Sequence, residues 1–88
     1  MDWSAVPEAL LTSTESIEQI AQAVETLKPS LRAVFLLRDV EELSTLETAQ
    51  VLGLKPGAVK VRLHRARLAL REQLAGYFEE RVGQINGM

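Results

Sequence analysis

Ser44-Thr45-Leu46-Glu47-Thr48-Ala49-Gln50-Val51-Leu52-Gly53-Leu54-Lys55-Pro56-Gly57-Ala58-Val59-Lys60-Val61-Arg62-Leu63-His64-Arg65-Ala66-Arg67-Leu68-Ala69-Leu70-Arg71 is the stretch whose reading decides the fold. Ser44 and Glu47 stand in the S-x-x-E form of a capping box, in which each residue satisfies a backbone N–H that the first helical turn leaves free. A helix is predicted from there to about Leu52, with Ala49 and Leu52 inward. Gly53 falls where a helix end needs a left-handed residue, and Leu54 follows it as a plug for the core beneath the turn. Pro56 suits the first turn of the next helix, where a missing N–H costs nothing. Val59, Leu63, Ala66, Leu70 and Leu74 then recur at spacings of four, three, four and four, so they share one helical face. A short capped helix, a glycine turn and a longer helix make the sequence form of a helix-turn-helix. In that motif the second helix enters the major groove and the first crosses the backbone.

Working outward, Pro29 suits the start of an earlier helix, carried by Leu31, Val34, Phe35 and Leu37 to about Val40. Its apolar positions are continuous from Ala33 to Leu37, which implies burial on more than one side or a partner surface. Glu41-Glu42-Leu43 forms a short connection. Before it, Thr14 is placed to cap a first helix in which Ile17, Ile20, Ala21, Val24 and Leu27 keep helical spacing. Lys28-Pro29 ends that helix, because a residue preceding proline avoids helical angles. No alternating strand pattern or hairpin dipeptide interrupts the series. The expected fold is all-α: a small four-helix domain containing a helix-turn-helix. Residues 1–13 read as a linker or loosely docked segment, 14–82 as the domain and 83–88 as a flexible tail, with Gly76 either ending the last helix or lying within its extension.

Charge is polarised along the chain. Its 88 residues carry a net −2, yet residues 1–54 hold nine acids and three bases (−6) and residues 55–88 hold seven bases and three acids (+4). From Lys55 to Arg71 there are six bases and no acid. For an anionic partner, that local stripe matters more than the total. A chain this short holds one modest core, burying roughly 60–65% of the surface of its unfolded form. With no cysteine there is neither a disulfide framework nor a thiolate metal site. No apolar run reaches the roughly 18–20 residues of a membrane helix, and the N-terminus lacks signal-peptide character. No metal or cofactor is expected, and an intracellular location is.

With Val59, Leu63 and Ala66 turned inward, Lys60, Val61, His64 and Arg65 project outward. Lys60 and His64 are helical neighbours, four residues apart. Long cationic side chains there reach guanine edges or phosphates, and Val61 can meet a thymine methyl. Arg62, Arg67 and Arg71 flank the stripe and suit phosphate contacts, which position a domain without reading sequence. Lys55 adds a cation beside the helix N-terminus, itself a source of phosphate-binding donors. A basic helical face is ordinarily just a solvated face; its place behind a motif-spaced glycine turn is what points to DNA. His64 is the only histidine, with no acid three or four residues away, so neither a metal site nor a catalytic triad assembles around it. Gly53 and Gly57 do not form a phosphate-binding loop, since no G-x-x-x-x-G-K-[ST] string is present. No polar set converges on a reaction, and the chain is read as non-enzymatic.

Leu31-Arg32-Ala33-Val34-Phe35-Leu36-Leu37-Arg38-Asp39-Val40, Leu43-Ser44, Ala49-Gln50-Val51-Leu52-Gly53-Leu54 and Gly57-Ala58-Val59-Lys60-Val61-Arg62-Leu63-His64-Arg65-Ala66-Arg67 together resemble region 4 of bacterial sigma factors, best of all the extracytoplasmic-function (ECF) group of the sigma-70 family. The resemblance covers about Leu27 to Leu74. It implies a domain that recognises the −35 promoter element in double-stranded DNA and docks on the β flap of RNA polymerase during transcription initiation. It also implies an anti-sigma factor as partner and a cytoplasmic, nucleoid-associated location. Lys60, Val61, His64 and Arg65 would face bases or nearby phosphates, with Arg62 and Arg67 on the backbone. Leu31, Val34, Phe35 and Arg38 would contribute to polymerase or anti-sigma contact. Two departures stand out: Lys55-Pro56 replaces the Ser or Thr cap often found before the recognition helix, and Thr48 stands where a larger apolar residue is common. Nothing resembles region 2, so the chain is expected to work within a larger polymerase assembly. A protein-interaction module, motivated by the acidic, apolar-rich first half, and a LuxR-type response-regulator output domain are the alternatives.

Overall fold

The computed structural model describes residues 13–86, and side chains for residues 13–82. Four helices and no strand occur among them: α1 (Thr14–Thr26), α2 (Pro29–Phe35, widening into a π-helical turn over Leu36–Val40), α3 (Thr45–Leu52) and α4 (Pro56–Asn86). Of the linker expected over residues 1–13, residues 1–12 lie outside the described residues.

Two compact units divide the chain. One is Leu27–Ala69; the other, among the described residues, combines residues 13–26 with residues 70–86. In the first unit, α2, α3 and the start of α4 converge on a core of Val34, Ala49, Val59 and Leu63, with Phe35, Leu52 and Leu54 packed against it. Leu54 plugs the turn as its position predicted. Each helix contributes only one or two core side chains, so stability rests on their joint burial, with Val34, Val59 and Leu63 each worth about 1.5–3 kcal/mol when fully enclosed.

Local chemistry sets the ends of these helices. Lys28 leads into α2 through its carbonyl, which accepts from the N–H groups of Leu31 and Arg32 at 2.9 Å each. The helical ladder then slips by one residue: the Glu41 N–H reaches the Leu36 carbonyl, five residues back, at 2.9 Å. Such widened turns cluster at functional sites because the slip re-aims the side chains within it. Around α3 the capping box forms in full. Ser44 Oγ accepts from the Glu47 N–H at 3.0 Å, and the Ser44 N–H donates to Glu47 Oε1 at 2.9 Å. Gly53 ends α3 with φ 67°, its N–H on the Ala49 carbonyl.

In the second unit the structure revises the first helix. Ser13, not Thr14, caps α1: its Oγ accepts from the Ser16 N–H at 3.2 Å. The buried face is Ser16, Ala23 and Val24, whereas Ile17 is 55% exposed and Ala21 is also exposed. The stripe is rotated because Ser16 Oγ meets Tyr77 Oη at 3.2 Å, and this anchors α1 on its polar-capped side. Gln73 Nε2 donates to Thr26 Oγ1 at 2.6 Å, and Arg81 pairs with Glu15. The Arg81 guanidinium also lies 5.1 Å from the centre of the Tyr77 ring. α4 runs on past Gly76 to Asn86. Phe78, fully buried, extends the predicted stripe by one more step of four.

Candidate nucleic-acid interface

The apolar stripe of α4 fixes which way its polar residues face. Val59, Leu63, Ala66, Leu70 and Leu74 are all buried, as their spacing predicted. At 100° per residue, Lys60, Val61, His64 and Arg65 must then point away from the core, and all four are exposed. Val61 is 48% exposed, an unpartnered apolar group amid cations. Arg62 lies half-buried at the opposite margin of the stripe, while Lys55 and Gly57 are exposed at the start of the helix. Arg71 is exposed one turn beyond Arg67, within the second unit.

The start of α4 resolves the question raised by Lys55-Pro56. With no Ser or Thr there, the Lys55 carbonyl accepts from the N–H groups of Ala58 (3.0 Å) and Val59 (3.2 Å), and Pro56 removes one orphan donor outright. A cation at this position opposes the helix dipole, a cost that an anion placed nearby would offset.

Arg67 does not stand free as a phosphate contact. Its Nε donates to Asp39 Oδ2 at 2.9 Å and its Nη2 to Oδ1 at 2.6 Å, a two-pronged pair from α4 to the widened turn of α2. The Arg67 pKa is raised, first by the hydrogen bonds to Asp39 and then by the attraction of its charge. Both side chains stay partly in water, so the pair itself stabilises the fold by no more than about 1 kcal/mol.

The residues expected to meet a protein partner are placed differently from their sequence reading. Val34 is 0% exposed, at the centre of the core, and has no surface to offer. Phe35 packs against that core, and Leu31 is half-buried. Arg38 turns back on its own chain, where Nη1 donates to the Leu43 carbonyl at 2.5 Å. The apolar groups of this segment that do reach solvent are Leu36 and Val40, both in the widened turn; Leu46 and Val51 on α3 are exposed as well. The continuous apolar run announced burial on several sides, but a slip of the helical ladder has no signature in periodicity. Asp39 carries no local signal either, because its partner Arg67 lies 28 positions away.

No group of three His, Cys, Asp or Glu residues among those described is placed to hold a metal ion. No helix among the described residues is long and apolar enough to cross a membrane. A shallow cleft in the second unit is lined by Gln19, Gln22, Ala23, Thr26, Gln73 and Leu74 and carries no titratable group.

Residues 17–70 match the family described as Sigma-70, region 4. This chain belongs to that family, which also decides between the two helix-turn-helix classes weighed from the sequence. Among its relatives, the ECF RNA polymerase sigma factor SigW of Bacillus subtilis is 39% identical over 69 residues, 78% of this chain and 37% of the relative. The RNA polymerase sigma-E factor of Streptomyces antibioticus is 47% identical over 55 residues, 62% of this chain and 31% of the relative. The RNA polymerase sigma factor YlaC of Bacillus subtilis is 38% identical over 74 residues, 84% and 43% respectively. The chain thus spans about a third of the length of the first of these curated relatives. No solved structure matches it.

Proposed function

We propose that this chain is the promoter-reading region 4 of an ECF-type sigma factor, binding the −35 element as duplex DNA during transcription initiation. The observation that carries the reading is the exposed set Lys60, Val61, His64 and Arg65, presented on the helix after the Gly53 turn in a segment matched to region 4. Lys60, His64 and Arg65 approach base edges or nearby phosphates; Val61 meets a thymine methyl. Lys55, Arg62 and Arg71 supply backbone contacts. The role is non-enzymatic and belongs to the cytoplasm, on the nucleoid.

Titrating the chain against −35-like and scrambled duplexes tests this. Scrambled DNA should bind at about 10⁻⁴–10⁻⁶ M at physiological salt. Neutralising about four or five phosphates gives a log–log salt slope of about −3.6 to −4.5. Absence of binding at low salt by the folded chain would remove the reading.

A second role is favoured by the exposed Leu36, Val40, Leu46 and Val51: contact with the β flap of RNA polymerase and with an anti-sigma factor. Leu36→Ser and Val40→Ser should weaken capture of these proteins while leaving duplex binding unchanged. Unaltered capture would place that interface elsewhere.

A further inference from the structure

Lys60, His64 and Arg67 recur along α4 at spacings of four and three, so the helix sets them in one line. The first two are exposed on the face assigned above to DNA. Arg67 shares the line and is exposed too, but it is paired. Its guanidinium is gripped along one edge, through Nε and Nη2, by Asp39, a residue 28 positions earlier in the sequence. Asp39 reaches it from the widened turn of α2, where the ladder of hydrogen bonds has slipped to the Glu41–Leu36 pairing.

The electrostatic consequence is specific. A cation releases counterions from DNA in proportion to the phosphate charge it neutralises. A guanidinium whose charge is already answered by a carboxylate forms a neutral pair and contributes little to that release, even where its remaining nitrogen touches the backbone. Contacts of this kind add equally to every sequence and carry no information about bases. Removing one lowers non-specific affinity more than it lowers discrimination.

We propose that Asp39 is a positioning residue that withholds Arg67 from the phosphate-neutralising set and so restrains sequence-independent DNA affinity, while Arg67 serves as a strut between α2 and α4. This rests on the DNA-reading function above. The test is a salt titration of the full chain on a scrambled duplex, read by fluorescence anisotropy, for the wild type, Asp39→Asn and the double variant Asp39→Asn with Arg67→Gln. Asp39→Asn should steepen the log–log slope by about 0.9, one further phosphate. Each tenfold fall in salt then favours it by about eightfold more than the wild type. The double variant, in which neither charge of the pair remains, should keep the wild-type slope.

That result separates release of Arg67 from the mere loss of a negative charge, which would persist with Arg67 absent. A wild-type slope for Asp39→Asn, or a steepening by Asp39→Asn that survives in the double variant, overturns the proposal and leaves the DNA-reading function standing. Failure of the wild type to bind any duplex removes both. If Asp39→Asn does not fold, Asp39→Ser makes the same test: a slope steeper by about 0.9 upholds the proposal and a wild-type slope overturns it.

Discussion

Two turns bracket α3, and both bend the chain through a left-handed residue: Glu42 before it, at φ 59°, and Gly53 after it, at φ 67°. An L side chain in this region costs roughly 1–2 kcal/mol, through its Cβ crowding the following carbonyl. Gly53 avoids the cost by having no Cβ. Glu42 bears it and is held by its neighbours instead. The Leu43 N–H donates to the Leu37 carbonyl at 2.9 Å, and Arg38 Nη1 donates to the Leu43 carbonyl. The capping box of Ser44 and Glu47 then fixes the chain just beyond. One turn is built from a permissive residue and the other from hydrogen bonds that over-determine a reluctant one. The second arrangement lies where the widened turn of α2 aims Asp39 at Arg67, so strain and site adjoin.

The contrast can be broken from either side. The largest effect should come from Gly53→Val, which places a β-branched side chain at positive φ and should destabilise the chain by about 2 kcal/mol. A new Cβ at Gly53 would meet nothing within 4 Å, so the loss is one of backbone conformation; Gly53→Asn should recover most of it in urea unfolding. Next comes Arg38→Met, which removes the lock on the Glu42 turn at a cost of about 1.5 kcal/mol, the lower end for a charged hydrogen bond. Buried Arg38 Nε has no partner among the described residues, and deleting it offsets part of the loss. Ser44→Ala should cost about 1 kcal/mol by opening the capping box, measured as a lower urea midpoint.

Smaller still, Glu42→Gly should stabilise the chain by about 0.5–1 kcal/mol, since relief of the left-handed strain outweighs the added entropy of glycine. A loss of stability there would mean that the Glu42 side chain holds the turn itself.

The smallest effect is one of pH. The Glu47 carboxyl is held below its ordinary pKa, first by the Ser44 backbone N–H and then by the Ser44 hydroxyl. A depressed carboxylate contributes stability above its unfolded pKa of about 4.3 and loses it as pH falls through the folded value. Urea midpoints for the wild type should therefore fall between pH 5 and pH 3 by more than those of Glu47→Gln. Equal losses would show that the capping box does not depend on this charge.

How much of this was legible in the sequence differs between the two turns in the same way. Glycine announces its own backbone requirement, and the S-x-x-E string announces its cap, so α3, the Gly53 turn and the start of α4 were readable residue by residue. The outward face of α4 followed once its apolar stripe was counted. Glu42 announces nothing, because an acid in a loop is ordinary, and the slip of the ladder over Leu36–Val40 leaves apolar spacing unchanged. The resemblance implies a partner-facing Val34, and the continuous apolar run around it does not say which of its members faces the core. The rotation of α1 was hidden too, since a buried serine becomes intelligible only once Tyr77 is beside it.

The sequence by itself determined the helix-turn-helix, its caps and the polarity of its charge, because these depend on residues within a few positions of one another. Tertiary structure decided which cations remain available. Asp39 and Arg67 lie 28 positions apart, and only the packing of α2 against the helix-turn-helix brings a carboxylate to one guanidinium of the basic stripe. Spacing along one helix orders its side chains about its own axis; whether a charge is answered from another helix depends on the fold.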